Sequence, residues 1–150
     1  MKASEALNAT VWIIQVGTLL LFVLAGYTIY SVLSTVSTDS AQIQIQADIS
    51  TGYATISFRS TPTNSGPLNT KLTMALYFES PTGLKIANTS ESVELGPGVR
   101  QVLSLSLKVR MKDLEGFNNA DGSFLGLIME IKTLEYLGLS NDVKITGGRQ

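Results

Sequence analysis

The stretch from Val11 to Leu33, VWIIQVGTLLLFVLAGYTIYSVL, is almost entirely apolar and lies in a longer segment, between Glu5 and Asp39, that has no charged side chain. As an α-helix its 23 residues reach about 34 Å, more than the roughly 30 Å hydrocarbon layer of a bilayer. A cleavable signal peptide has a shorter apolar region, and a helix that is apolar on all sides suits the core of a small soluble domain poorly. The sequence therefore predicts a retained transmembrane or filament-core helix over residues 1–38.

The few charges beside this helix predict its orientation. Lys2 precedes the apolar segment, whereas Asp39 and Asp48 follow it and the first later cation is Arg59. Positive residues tend to stay on the cytoplasmic side of a membrane. We therefore expect a cytoplasmic N-terminus and an extracytoplasmic domain over residues 41–150, at the cell membrane or in an extracellular filament.

Small and polar side chains within the apolar segment predict contacts with other helices. Small residues let two helices approach closely in lipid, and hydroxyl or amide groups can bond across the contact. A side-chain amide at that depth needs a partner in another helix, or it reaches back toward the lipid headgroups. The predicted helix-contact residues are Gln15, Gly17, Thr18, Gly26, Thr28 and Ser31.

After residue 41 the polarity alternates with the period of a β-strand. Apolar side chains at 43, 45, 47 and 49 alternate with polar ones and predict a half-buried strand, and the pair Thr51-Gly52 predicts a hairpin turn into a second strand over 54–58. We expect Leu84 to continue an inward-facing row. The alternation is clearest over 103–109, and residues 143–145 predict a short last strand.

Turn-forming residues separate these strands. Ser80-Pro81-Thr82-Gly83 is typical of a type I turn, and Gly96-Pro97-Gly98 predicts a second sharp turn. Residues 112–122 predict a helical turn and a loop. Seven or eight short strands separated by such turns favour an antiparallel Ig-like β-sandwich, so the fold class is α+β: one long helix followed by the sandwich.

Composition excludes several functions. The chain has no His and no Cys, so triads built on these residues and thiolate or imidazole metal sites are unavailable. A net charge of −1, with 15% charged residues, provides no basic stripe for phosphates, so we expect no nucleic-acid partner. We also expect no cofactor, no small-molecule substrate and no enzymatic activity.

Two polar sites remain as minor hypotheses. Asp113, Glu115 and Asp121 are oxygen ligands of the kind that Ca²⁺ prefers, but their spacing fits no EF-hand, so a solvated loop is the favoured interpretation. Asn88-Thr89-Ser90 is a glycosylation sequon in the domain expected outside the cell, so Asn88 is a possible glycan site.

Two resemblances to known families accompany these patterns. The stretch from Asn64 to Val109 has an Asn/Pro loop, a strand, a Gly turn and a Pro-Gly turn before an alternating strand. It resembles the LEA14-like, water-stress-type Ig-like domains found behind single anchors in archaea, which implies a fold and no reaction. The whole layout, a largely uncharged helix over 1–38 leading into a Ser/Thr-rich β-region, resembles archaeal type IV pilin-like proteins.

The pilin-like resemblance implies a structural subunit or anchor of a cell-surface assembly. Its expected partners are other copies of the chain or membrane and envelope proteins, together with the lipid bilayer. Two alternatives stay open: a single-pass accessory subunit of a membrane enzyme complex, and a free-standing envelope or stress-protection module.

Overall fold

A computed structural model describes residues 3–38, 42–118 and 122–146 of the chain. Helix α1 (Ala3–Thr38) comes first and is followed, within the described ranges, by seven strands and a short helix. In chain order these are β1 (Gln42–Asp48), β2 (Tyr53–Ser60), β3 (Thr70–Glu79), β4 (Lys85–Leu95), β5 (Leu103–Arg110), α2 (Met111–Asn118), β6 (Phe124–Thr133) and β7 (Leu137–Thr146).

The strands form two antiparallel sheets. One has the order β1-β2-β5 and the other the order β4-β3-β6-β7. Along β5 buried and exposed residues alternate strictly, because successive side chains of a strand point to opposite faces of its sheet. The buried faces of both sheets share one hydrophobic core. The predicted α+β fold, a long helix followed by an antiparallel β-sandwich, is confirmed.

The predicted turns are present. Gly52 has φ 72° and its N–H donates to the Asp48 carbonyl at 3.1 Å, which closes the β1–β2 hairpin. The Gly83 N–H donates to the Ser80 carbonyl at 3.0 Å, as in a hydrogen-bonded four-residue turn. Gly98 has φ 75°, so the Pro-Gly turn uses a conformation that glycine adopts without strain.

Three details of the predicted sheet are wrong. Strand β1 is exposed along its whole length, with Ile43 45% and Ile45 53% exposed. It lies at the sheet edge opposite β5, and β5 is the strand of this sheet that contacts β3 and β4 of the other sheet. Its β2 partners Phe58 and Ile56 are buried. Leu84 lies in the turn before β4 and is 68% exposed, and the last strand spans Leu137–Thr146 instead of a short segment.

The helix contributes to the core of the sandwich. Val32 and Val36 belong to the same buried cluster as the strand residues, and Ile29 and Leu33 pack against it. Helix α1 contacts β6 and β7. The second half of the apolar segment therefore packs along one face on the chain's own domain, and the role of residues 1–38 as an anchor or filament-core helix remains a prediction.

Candidate functional site

Helix α1 has two halves with different surroundings. Every residue from 8 to 23 is exposed, and residues 8–24 are called the free half here. The free half includes ten large apolar side chains that are 44–73% exposed. They are Val11, Trp12, Ile13, Ile14, Val16, Leu19, Leu20, Leu21, Phe22 and Val23. Because these positions surround the helix axis, the free half is an apolar rod on every side.

Residues 25–36, the docked half, bury one stripe of side chains. Ala25, Thr28, Val32 and Val36 follow one another at intervals of three or four residues and are at most 5% exposed. This spacing places them on one face of the helix. Tyr30, on another face, is 67% exposed. The docked half is thus held along one face only.

The loop over residues 61–69 holds the docked half. A Cβ atom at Gly66 would overlap the backbone and side chain of Thr28, so only glycine allows the loop to lie this close to the helix. Two turns further along, Thr35 Oγ1 donates to the Thr63 carbonyl at 3.2 Å and accepts from the Thr63 N–H at 3.1 Å. The Thr35 side chain thus joins the helix to the backbone of the loop.

Asn64 fixes the shape of that loop. It is fully buried, its Nδ2 donates to the carbonyls of Leu68 at 2.8 Å and Leu95 at 2.9 Å, and its Oδ1 accepts from the Gly66 N–H at 2.9 Å. Its carbonyl also accepts from the Gly98 N–H at 2.7 Å. Asn64 therefore positions Gly66 against the helix and ties the loop to the turn after β4. In the sequence, Asn64 is only one residue of an Asn/Pro loop motif, and nothing local predicts these bonds.

The predicted helix-contact residues fall into two groups. Gln15, Gly17 and Thr18 lie in the free half, and Gly26 is exposed at the start of the docked half. Thr28 and Ser31 are 0% and 7% exposed, and their hydroxyls donate to carbonyls of their own helix, so both side chains are covered within this chain. Contact with another helix remains a prediction for the first group.

The minor polar sites stay apart from the helix. Asp113 forms an ion pair with Arg110 at 2.9 Å, Glu115 is exposed, and Asp121 lies outside the described residues. No group of three acidic residues that could hold a metal ion occurs within ranges 3–38, 42–118 and 122–146. Asn88 is exposed on β4, and its glycosylation remains a prediction.

The outer face of the four-stranded sheet carries a packed polar cluster around Tyr77. The Tyr77 hydroxyl donates to both carboxylate oxygens of Asp142 at 3.0 Å, and its ring covers Gly126, where a Cβ would overlap it. The Lys85 ammonium lies 4.4 Å from the ring centre. Burial, and then the bond to Asp142, raise the pKa of Tyr77 to about 12, which keeps the phenol protonated. These contacts stabilise the sheet and create no activated nucleophile.

A groove of about 970 Å³ lies at the end of the sandwich that contacts the helix. It is lined by the end of the 61–69 loop and by the ends of β3, β4 and β6, with Lys71 and Lys132 opposed by Glu94 and Glu135. Equal numbers of cations and anions give the groove no field of one sign for a charged ligand.

Comparisons with known proteins identify the fold of the sandwich. No protein-family model and no curated protein matches the chain. Among solved structures, a β-glucuronidase from Bacteroides uniformis is similar, with a TM-score of 0.50 and 16% identity over 70% of this chain and 12% of that chain. A putative β-galactosidase from Bacteroides fragilis has a TM-score of 0.49 at 15% identity over 69% of this chain and 15% of that chain.

The likeness to the Bacteroides uniformis protein shows a shared β-sandwich and nothing about activity. Identity is 16%, and this chain spans only 12% of the length of that protein. The TM-score of the second match, 0.49, is too low to support any argument. The functional evidence in this molecule is therefore the helix, which is long and apolar enough over Asn8–Val36 to cross a membrane.

Proposed function

We propose that this protein is a non-enzymatic structural subunit or anchor of a cell-surface assembly, with a pilin-like layout. In this proposal the free half of α1 lies in the bilayer or in a bundle with the same half of sister copies. The sandwich lies outside the cell and acts through contacts with other proteins. With no His and no Cys in the chain, the proposal includes no catalytic step.

The observation that carries the proposal is the exposure of the free half. Ten large apolar side chains on all sides of one rod are 44–73% exposed. A contiguous apolar surface of this kind is rare on soluble monomers and marks contact with membrane or protein. Lipid tails or neighbouring rods would each remove this surface from water, which is the main favourable term in such an association.

The length of the free half supports an assembly with close neighbours. Its apolar part, Val11–Leu24, has 14 residues and therefore reaches about 21 Å. The hydrocarbon layer is about 30 Å thick, so this part alone is shorter than the layer. Short spans are accommodated by local thinning of the bilayer, by association of helices or by flanking groups in the interface. Bundled rods meet this condition without any change in the sandwich.

Two fractionations of cells that express the full chain test the proposal. Filaments released by shearing should sediment with the protein without detergent, and protease added outside sealed right-side-out vesicles should cleave the sandwich. Recovery of the intact chain as a monomer in plain aqueous buffer would contradict the proposal. Cleavage of the sandwich only from the inner side of the vesicles would contradict its orientation.

Gln15 favours a second candidate function, an accessory subunit of a membrane enzyme complex. This side chain is exposed within the free half, and an amide in lipid gains from a polar partner on another helix. A subunit of that kind would stay with the membrane after shearing and would co-purify in detergent with larger proteins. Gln15→Leu should then weaken the co-purification, whereas Ile14→Leu, at the neighbouring position, should leave it unchanged.

A further inference from the structure

We propose that the tip of the β6–β7 hairpin, Leu134–Tyr136, is a second membrane contact of this protein. The tip would lie in the headgroup region of the bilayer that the free half of α1 crosses, and would hold the sandwich against that surface. This inference rests on the membrane anchoring proposed above. The helix itself supplies the first contact.

The tip lies at the end of the sandwich where the helix is held. Thr133, the last residue of β6, donates from Oγ1 to the Asn69 carbonyl at 2.8 Å, at the end of the 61–69 loop. The same loop contacts the docked half at Thr28 and Thr35. Helix α1 also packs on β6 and β7, the two strands that the tip connects. A membrane at the start of the docked half would therefore face this end of the sandwich.

The side chains of the tip suit a lipid interface. Tyr136 is 90% exposed and Leu134 is 39% exposed. Tyrosine is enriched at membrane interfaces because its ring is apolar and its hydroxyl stays hydrated. Glu135 lines the groove that Lys71 and Lys132 also line, so its charge has cations nearby. The adjacent loop over 61–69 has no charged residue.

The side chains at the tip do not suit its backbone conformation, so turn formation does not explain them. Leu134 has φ 53° and Glu135 has φ 61°, both in the left-handed region. Left-handed backbone at two consecutive positions favours Gly, Asn or Asp, which adopt it with less strain. Strain of this kind in a well-packed structure points from the conformation to a function for the residue.

The length of the helix places the membrane surface at the level of the tip. The 14 residues of Val11–Leu24 reach about 21 Å, less than the roughly 30 Å of the hydrocarbon layer, so a bilayer around the free half comes close to the start of the docked half. Tyr27 and Tyr30 are 54% and 67% exposed on the face of the docked half that points away from the sandwich. An interface at their level brings the end of the sandwich into the headgroups.

Fluorescence quenching by lipid tests this inference on the full chain. Trp12 is the one Trp of the sequence, so Trp12→Phe combined with Tyr136→Trp leaves a single reporter at the tip. The matched control combines Trp12→Phe with Leu84→Trp, because Leu84 is exposed in the β3–β4 turn at the opposite end of the sandwich. Each protein is reconstituted into phosphatidylcholine vesicles whose chains are brominated near the headgroup.

We expect brominated lipid to reduce the emission of the tryptophan introduced at position 136 and to leave that at position 84 unchanged. If brominated lipid left the emission at both introduced positions unchanged but still quenched Trp12 of the unaltered protein, the inference would be overturned and the membrane anchoring would stand. A blue-shifted but unquenched emission at position 136 would place the tip against protein and would also overturn it. Failure of brominated lipid to quench Trp12 itself would instead contradict the anchoring.

Discussion

The two halves of helix α1 belong to one unbroken helix but differ in what surrounds them. The free half exposes apolar side chains in every direction, whereas the docked half buries hydroxyl groups at Thr28 and Ser31 and exposes aromatic rings at Tyr27 and Tyr30. By length and composition, Asn8–Val36 is a single candidate span, and this test does not show where the surroundings change. The comparison shows that the division of the helix depends on specific contacts with one loop and two strands, and substitutions in each half should separate the two roles.

The largest effect is expected from a charge placed on the buried stripe. Val32→Asp would leave an unpaired carboxylate in the core and should lower the free energy of unfolding by about 3–5 kcal/mol, or prevent folding. Chemical denaturation in detergent, followed by the β-sheet circular dichroism signal, measures this.

Val16→Asp is the matched control, because Val16 is 56% exposed in the free half. It should leave the unfolding of the sandwich unchanged and should oppose insertion of the helix into a bilayer, by about 2.5–3.5 kcal/mol at mid-membrane. An equal loss of sandwich stability in both variants would contradict the division of the helix.

Asn64→Ala should have the next largest effect. It removes three side-chain hydrogen bonds and should cost about 3 kcal/mol, since each of the three backbone groups left without a partner costs at least about 1 kcal/mol. The docked half should also become more accessible to protease. For Asn88→Ala, at an exposed position, the free energy of unfolding should stay within about 0.5 kcal/mol of that of the unaltered protein. Similar denaturation midpoints for the two variants would show that Asn64 does not hold the loop.

Gly66→Ala should be destabilising by about 1–3 kcal/mol, because the added Cβ would overlap Thr28 and force the helix and the loop apart. Gly96→Ala provides the comparison at the same end of the sandwich. Its added Cβ would lie 3.5 Å from Val99 Cγ2, an ordinary contact. Thermal unfolding of both variants in detergent measures the difference, and equal melting temperatures would contradict the close approach of loop and helix.

The smallest effect is expected at the hairpin tip and has the opposite sign. Replacing Leu134 and Glu135 together, by Leu134→Asn and Glu135→Gly, should stabilise the sandwich by about 1–2 kcal/mol, because a left-handed backbone is strained for most side chains. Denaturation in detergent, where no planar bilayer contributes, measures the gain. Loss of stability would show that the native side chains contribute to packing of the sandwich.

The sheet was largely predictable and the docking was not. Strict alternation over Leu103–Val109 and the turn residues at Gly52 and Gly83 are local signals, and the structure confirms them. The exposure of β1 depends on its distance from the β5 strand that meets the other sheet, which the alternation of Ile43 and Ile45 cannot reveal.

Docking of the helix depends on contacts between residues distant in sequence. The fold brings together Thr28 with Gly66 and Thr35 with Thr63, which are far apart in the sequence. One signal in the sequence was usable: hydroxyl residues become frequent from Thr28 onward in an otherwise apolar helix. Spaced three or four residues apart, they indicate a helix face that meets polar backbone instead of lipid.

A single-cysteine scan of the helix tests its division most directly, and the absence of Cys from the chain provides a clean background. Spin labels at each position from 14 to 36 would be measured in vesicles for mobility and for access to oxygen, which dissolves in lipid. We predict oxygen access in the free half on the faces that meet lipid, and a strong periodic loss of mobility at 25, 28, 32 and 36 in the docked half. Uniform oxygen access from 14 through 33 would show that the helix is not docked. If the labels from 14 onward were instead immobile on every face and had no access to oxygen, the free half would be buried within the sandwich itself.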